Sequence, residues 1–516
     1  MAVPALGVDR KVAVIGSGAM GAGIAQVAAA AGYTVQLFDT RPQAVDKALA
    51  DIGAMYLKLS AKGRMTIAEA EQAHARLQAA DSLEQVAGAA LVVEAIVENF
   101  ELKRMLFAGL EKIVAEDCIL ATNTSSISIT AIGATLRRPD RLVGMHFFNP
   151  VPLMALVEVI SGLATDCQVA QTVFATAQAW GKRPVHARST PGFIVNRVAR
   201  PFYAEALRLL REQATDPATL DAIMREAGGF RMGPCELMDL IGHDVNLAVT
   251  ESVWRAHYCD PRYAPSVLQR EMVDAGHLGR KNGKGFFDYS TAMPAPSTEP
   301  ACPAPPSVML TMEADAMAPA LAAITARLEQ AGVTVRHGRP ALDAYEAATP
   351  ALHVNGAAVF LTDGRSATER ARINSHPDTV LFDLALDFGT ATRIALARAD
   401  QCRPEAWESV AGMFGAAGFQ VSRIDDAPGM VVMRTVAMLA NEAADAVLHG
   451  VGDAESVDLA MQLGVNYPRG PLAWADAVGL DHIVTVLSNL GASYGEERYR
   501  VSPLLRRKLA AGRFHG

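Results

Sequence analysis

One constant offset constrains this chain more than any composition does. Shifting the sequence by 237 positions brings Gly181 onto Gly418, Pro191-Gly192 onto Pro428-Gly429, Arg197 onto Arg434, Glu205-Ala206 onto Glu442-Ala443 and Asp221 onto Asp458. Gly233-Pro234 then meets Gly470-Pro471, and Asp239, Gly242 and Asp244 meet Asp476, Gly479 and Asp481, without a gap. Glycine tolerates positive φ and proline fixes φ, so such matches report shared backbone geometry rather than shared composition. The chain therefore reads as two copies of one αβ-then-α unit. The copies differ where chemistry would sit: Asn196 becomes Met433, and residues 308–424 hold no glycine fingerprint. The second half is expected to be a non-catalytic copy.

Short apolar runs at Lys11–Ile15, Thr34–Phe38, Leu91–Val93, Cys118–Ala121, Leu142–His146 and Leu156–Ile160 read as strands, with helical stretches between them such as Ala22–Ala31. Strands alternating with helices predict a doubly wound sheet over 8–188. Residues 189–290 read as mostly helical. Six prolines between Ala292 and Ser307 mark 291–307 as a semi-rigid linker, because such a run fits neither helix nor sheet. The strand pattern returns over 308–425, at Val308–Thr311, Val333–Arg336, Ala357–Leu361, Val380–Leu384, Ile394–Ala397 and Gln420–Ile424. A second helical domain follows at 426–516.

The net charge of −8 makes a nucleic-acid partner or an anionic membrane a poor match. None of the six cysteines forms a CxxC or another metal-ligand spacing, so no metal is expected. Scattered thiols fit a reducing cytoplasm. The first nine residues do not read as a signal peptide, and no run of ~18 apolar residues could span a bilayer.

Gly16-Ser17-Gly18-Ala19-Met20-Gly21 is a GxGxxG placed between an expected strand and an expected helix. The first glycine permits the tight turn, the second a close backbone approach to pyrophosphate, and the third close helix–strand packing. Asp39 closes the next strand, where a carboxylate accepts from a ribose 2′-OH and repels a 2′-phosphate; NAD is the expected cofactor. Arg41 nearby weakens that preference. A turn aspartate would be the bland alternative. The fold expectation is thus an α/β Rossmann-type NAD domain followed by an all-α domain, then a degenerate Rossmann-like plus all-α copy.

Asn123-Thr124-Ser125-Ser126 follows a strand, so it is expected as a polar loop at the carboxyl edge of the sheet, where ligands bind in such folds. Ser125 could equally be a helix N-cap. His146 ends the next strand in His146-Phe147-Phe148-Asn149-Pro150, and Glu158 sits between valines on the run after it. Oxidising a hydroxyl requires a base for the O–H proton, and histidine suits that task near neutral pH. A carboxylate behind it would fix the tautomer. A hydrogen-bonded structural histidine is the alternative for His146.

These residues, together with Pro191-Gly192-Phe193-Ile194-Val195-Asn196-Arg197 and Gly279-Arg280-Lys281-Asn282-Gly283-Lys284-Gly285-Phe286, give a chain that resembles the L-3-hydroxyacyl-CoA dehydrogenase family over residues 8–290, with a weaker second helical copy at 426–516. The resemblance implies His146 as general base, Glu158 as its partner, Ser125 bonding the substrate oxygen and Asn196 holding substrate. It implies that Glu98, Lys103, Asn149 and Lys281 line the NAD site. Lys58 or Lys62 would meet CoA phosphates, though a solvated lysine serves as well. Length, linker and duplication narrow the resemblance to long bacterial members acting in phenylacetate-type degradation, which implies oxidation of (3S)-3-hydroxyadipyl-CoA. With strand Lys11–Ile15 opening the fold, a fused β-oxidation enzyme is not expected. Three readings stay open alongside: a 3-hydroxybutyryl-CoA or general fatty 3-hydroxyacyl-CoA dehydrogenase, a member acting on a free hydroxy acid or carnitine-like alcohol, and a non-catalytic NAD-binding protein. The two helical copies are expected to pair within the chain or in a homodimer.

Overall fold

A computed structural model of the chain describes residues 3–41, 43–310, 318–338 and 352–515. Thr311, the end of one expected strand, lies outside the described residues. The chain divides into two compact units: one holds 1–197 with 449–465, the other 198–448 with 466–516.

The first unit is built on an eight-stranded sheet. Its strands are β1 Lys11–Ile15, β2 Val35–Phe38, β3 Leu77–Ala79, β4 Ala89–Glu94, β5 Ile119–Thr122, β6 Leu142–Phe147, β7 Leu156–Ser161 and β8 Arg183–Arg188, in the order β3-β2-β1-β4-β5-β6-β7-β8. All neighbours are parallel except β6 and β7. The central strands are buried on both faces, which explains their continuous apolar runs. The expected strands are present within two residues of their predicted ends. Strands β3 and β8 escaped sequence reading because Leu77-Gln78-Ala79 is short and Arg183–Arg188 carries two arginines and a proline.

The second unit has a seven-stranded sheet of β9 Ser307–Leu310, β10 Thr334–His337, β11 Leu352–Val354, β12 Ala357–Leu361, β13 Thr379–Phe382, β14 Arg393–Arg398 and β15 Gln420–Arg423, in the order β10-β9-β11-β12-β13-β14-β15. Its β13–β14 pair is antiparallel and β14–β15 parallel, as in β6–β7–β8. The 237-residue offset persists here: β7 maps onto β14, and the helix Cys167–Ala179 maps onto Pro404–Ala416, end for end. The duplication thus reaches back into the sheet, beyond the helical halves where glycine and proline exposed it. The proline-rich stretch is helix-free and strand-free up to Ser307, but it is no free spacer. Glu299 N–H donates to Val421 O at 2.8 Å, and Ser297 N–H to Thr219 Oγ1 at 2.7 Å.

Each sheet is covered by a helix from the opposite copy. In the first unit, Ala454–Gly464 lies against β7 and β8; a Cβ on Gly464 would come within 2.7 Å of Leu156, and Arg188 N–H donates to Val451 O at 2.8 Å. In the second, the helix Pro217–Glu226 lies against β14, where Glu226 pairs with Arg393 at 3.0 Å. The helices Arg200–Arg211 and Val432–Leu448 also pack together within the second unit. At their junction the fully buried Arg434 donates to Glu205 (2.8 Å), Glu212 (3.0 Å) and the hydroxyls of Tyr494 and Tyr499 (both 2.9 Å).

Arg434→Met would leave Glu205 buried without its main counter-charge, which costs about 3–5 kcal/mol. We expect chemical denaturation to show that loss, and Arg434→Met with Glu205→Leu to recover much of it. A single-mutant loss below about 1 kcal/mol would show that the cluster carries little stability.

Candidate functional site

The glycine turn has the geometry its spacing demands. Gly16 sits at φ +105°, and a Cβ there would lie 2.6 Å from Ala95 O. A Cβ on Gly21 would lie 1.8 Å from Gly16 O. A Cβ on Gly18 would meet nothing within 4 Å, so that position opens outward, where a pyrophosphate would approach. The helix Ala19–Ala30 starts there with no side-chain cap, leaving its first N–H groups for an anion. Ala19 is exposed and Met20 half-buried beside it. Asp39 Oδ2 accepts from Ser17 N–H (2.9 Å) and Ser17 Oγ (2.7 Å), which ties the end of β2 to the turn. The Arg41 guanidinium, backed by Ser17, holds the Asp39 carboxyl well below the usual range. These residues fit a dinucleotide with a free ribose 2′-OH.

Across the sheet, His146 on β6 and Glu158 on β7 are directly opposed. His146 Nδ1 lies 2.7 Å from Glu158 Oε2, and Glu158 is fully buried. Where the carboxylate accepts, Nδ1 donates, and the neutral imidazole then keeps its lone pair on Nε2. The other oxygen, Oε1, accepts from the N–H groups of Ile194 (2.9 Å) and Val195 (3.1 Å). Phe148 and Phe193 flank the imidazole, with ring centroids at 4.5 and 5.9 Å.

The loop after β5 brings Ser125 to the same edge. Asn123 Oδ1 accepts from Phe147 N–H at 2.8 Å, and Asn196 Nδ2 donates to Ser125 O at 3.4 Å. Ser125 is not a helix N-cap; Ser128 caps Ile129–Gly133 instead. Glu98 Oε1 organises the loop, accepting from Thr124 Oγ1 (2.6 Å), Ser125 N–H (2.9 Å), Ser126 N–H (3.1 Å) and Ser126 Oγ (3.0 Å). Burial raises the Glu98 carboxyl, but the Thr124 hydroxyl, Lys103 and Ser126 outweigh it, so it titrates below its ordinary range.

The remaining expected residues are spread over several elements. Lys103 lies beneath this loop rather than on its surface: it is buried, 2.6 Å from Glu94 and 3.3 Å from Glu98. A buried ammonium needs such partners, which explains its direction. Asn149 is exposed beside Pro150, and Lys58 and Lys62 are exposed at the end of the helix Ala44–Ala61. Lys281 belongs to the second unit, where its ammonium pairs with Asp244. Its glycine-rich surroundings wrap Asp239, whose carboxylate accepts from Phe286 N–H (2.9 Å), Phe287 N–H (3.1 Å) and Tyr289 Oη (3.0 Å) and lies 2.8 Å from His243 Nε2. Sequence reading missed Glu94, which ends β4 fully buried and accepts from Lys103, Thr122 Oγ1 and Ile96 N–H. An acidic residue closing the apolar run Ala89–Glu94 was the available signal.

The second copy shows what this site loses. The offset puts Asp383 at the place of His146, Ala395 at that of Glu158 and Met433 at that of Asn196. Asp383 accepts from Val431, Val432 and Met433 N–H at 2.7–3.0 Å, and burial pushes its carboxyl up to about 6 against those donors. Among the described residues no cluster could hold a metal ion, and no helix is long and apolar enough to cross a membrane.

Residues 11–190 match the 3-hydroxyacyl-CoA dehydrogenase NAD binding domain, and 192–289 and 429–516 each match the C-terminal domain of that family. Residues 359–428 match a 3-hydroxybutyryl-CoA dehydrogenase reduced Rossmann-fold domain. The chain is 41% identical over 499 residues, 97% of each protein, to the 3-hydroxyadipyl-CoA dehydrogenase of Escherichia coli K12. It is 38% identical over 286 residues to human mitochondrial hydroxyacyl-coenzyme A dehydrogenase, covering 54% of this chain and 91% of that one. Its fold resembles a crystal structure of 3-hydroxybutyryl-CoA dehydrogenase from Escherichia coli K12 with a TM-score of 0.88 and 39% identity, covering 98% of this chain and 99% of that one. With both halves matched, the chain belongs to the 3-hydroxyacyl-CoA dehydrogenase family and is an NAD-dependent oxidoreductase.

Proposed function

We propose that His146 is the base of this dehydrogenase and Glu158 its positioning partner. The observation that carries the reading is the 2.7 Å contact between His146 Nδ1 and a carboxylate that is fully buried and clamped by two backbone N–H groups. That contact aims the Nε2 lone pair away from Glu158, where it takes the proton from the substrate hydroxyl. Bound NAD⁺ supplies the hydride acceptor. Glu158 stabilises the imidazolium as it forms. Ser125 and Asn196 hold the substrate oxygen and the thioester end, from the loop and helix that already touch each other. Gly16, Ser17, Gly18, Ala19, Met20, Gly21 and Asp39 hold the cofactor, with Asn149 and Glu98 beside it; Lys103 serves by fixing Glu94 and Glu98.

We further assign (3S)-3-hydroxyadipyl-CoA as the substrate and 3-oxoadipyl-CoA as the product. The nearly full-length likeness to a protein named for that substrate supports this, while the similar crystal structure carries a 3-hydroxybutyryl name. Lys58 and Lys62 are exposed and free to meet CoA phosphates. The unpaired cysteines support a cytoplasmic setting.

Glu158→Gln tests the tautomer argument. Its amide oxygen can still accept from Ile194 and Val195, but its NH₂ would donate to Nδ1 and move the ring proton to Nε2. We expect kcat to fall by about 10⁴-fold with NADH binding kept. His146→Gln should cost about 10²–10⁴-fold or more in acetoacetyl-CoA-dependent NADH consumption, again with NADH still bound. Wild-type turnover in either variant would refute the assignment. A panel of 3-hydroxyacyl-CoAs with and without a terminal carboxylate should show the highest kcat/KM for the adipyl thioester; equal use of the free acid would remove the CoA reading.

A further inference from the structure

A small cavity in the second unit is lined by five arginines and no acidic side chain: Arg200, Arg208, Arg211, Arg262 and Arg498. Three of them come from one face of the helix Arg200–Arg211, at successive spacings of eight and three. The other two sit on the single turns Pro261–Tyr263 and Glu497–Tyr499. Arg208 reaches Glu496 at 3.1 Å, and Arg262 reaches Glu442 at 3.4 Å and also Asp445. Donors remain nonetheless. Arg262 is 3% exposed and Arg498 8%, and the Nε–H of each is buried with no acceptor, as is Ser266 Oγ on the same wall. Buried donors without partners are uncommon and ask for an explanation. Arg498 Nε lies 3.7 Å from Glu496 Oε2, beyond hydrogen-bond reach, and burial lowers the pKa of Arg498 against the pull of Glu205 and Glu496.

The duplication supplies an internal control. At the matching places on the helix Val432–Leu448, Arg200 becomes Ala437, Arg208 becomes Asp445 and Arg211 becomes Leu448. The sister helix therefore forms without arginine at these three positions.

We propose that this cavity binds a phosphate-sized oxyanion, either free phosphate or the terminal group of a phosphomonoester. Guanidinium forks match such an anion bidentately, and several of them around one small space favour a multiply charged tetrahedral group. The cavity, of about 40 Å³ on a measure in which one water needs about 10–15 Å³, has room for more than a single water.

The test uses the full chain saturated with NAD⁺, so that the Gly16–Gly21 turn is already occupied. Melting temperature is followed against inorganic phosphate up to about 20 mM, with sodium chloride at matched ionic strength as the reference. Phosphate should raise the melting temperature saturably. Arg211→Gln, at an exposed position that will not disturb folding, should weaken the response by at least about fivefold, and Arg498→Gln should remove it. Glycerol 3-phosphate acting as well as phosphate identifies the monoester source; phosphate acting alone identifies the free ion. No shift beyond that of chloride, or a dose response unchanged in both variants, overturns the proposal.

Discussion

The Glu158 carboxylate is the joint on which the first unit turns. One oxygen faces His146 on the neighbouring antiparallel strand, and the other receives two N–H groups from the chain just after Pro191-Gly192. A fully buried charge survives only when every lone pair is used, so the sheet edge, the imidazole and the start of the helical segment must arrive in one arrangement. Moving any of them would strand the carboxylate.

The second copy separates the structural part of that joint from its chemical part. There the same backbone N–H groups are gathered by Asp383, which stands in the histidine's position, while the glutamate's place holds alanine. The demand to cap the chain after the proline-glycine turn persists; the demand for an imidazole with an oriented proton does not. A carboxylate answers the first from either strand of the antiparallel pair, because the two positions are directly opposed. What was lost is the pairing of two side chains, not the fold that placed them. A similar economy holds around Glu94, Lys103 and Glu98: one buried ammonium between two carboxylates holds the serine-rich loop, which itself contains no charge.

The interleaving of the copies gives the second half a structural part in the first. Each sheet is completed by a helix from the other copy, so neither copy buries its own sheet unaided. The Arg434–Glu205 cluster, joining helices of both copies, puts a further buried charge network at stake.

Much was legible from sequence because it depends on local rules. Strands buried on both faces announce themselves as apolar runs, the glycine turn by positions where a Cβ would collide with backbone, and the duplication by residues that encode φ. Ser125, His146, Glu158 and Asn196 are named as one set through the resemblance to the dehydrogenase family, which also implies that Glu158 partners His146. Residue types and spacing alone could not show that meeting, since it depends on β6 and β7 running antiparallel in a sheet whose other neighbours are parallel. Nor could sequence show that Lys103 turns inward, that Ser128 rather than Ser125 caps the next helix, or that a helix of each copy crosses to the opposite sheet. Those outcomes depend on which partners burial leaves available to a charge, a hydroxyl or an apolar face, and burial is a property of the assembled chain, whereas turns and periodicities are written residue by residue.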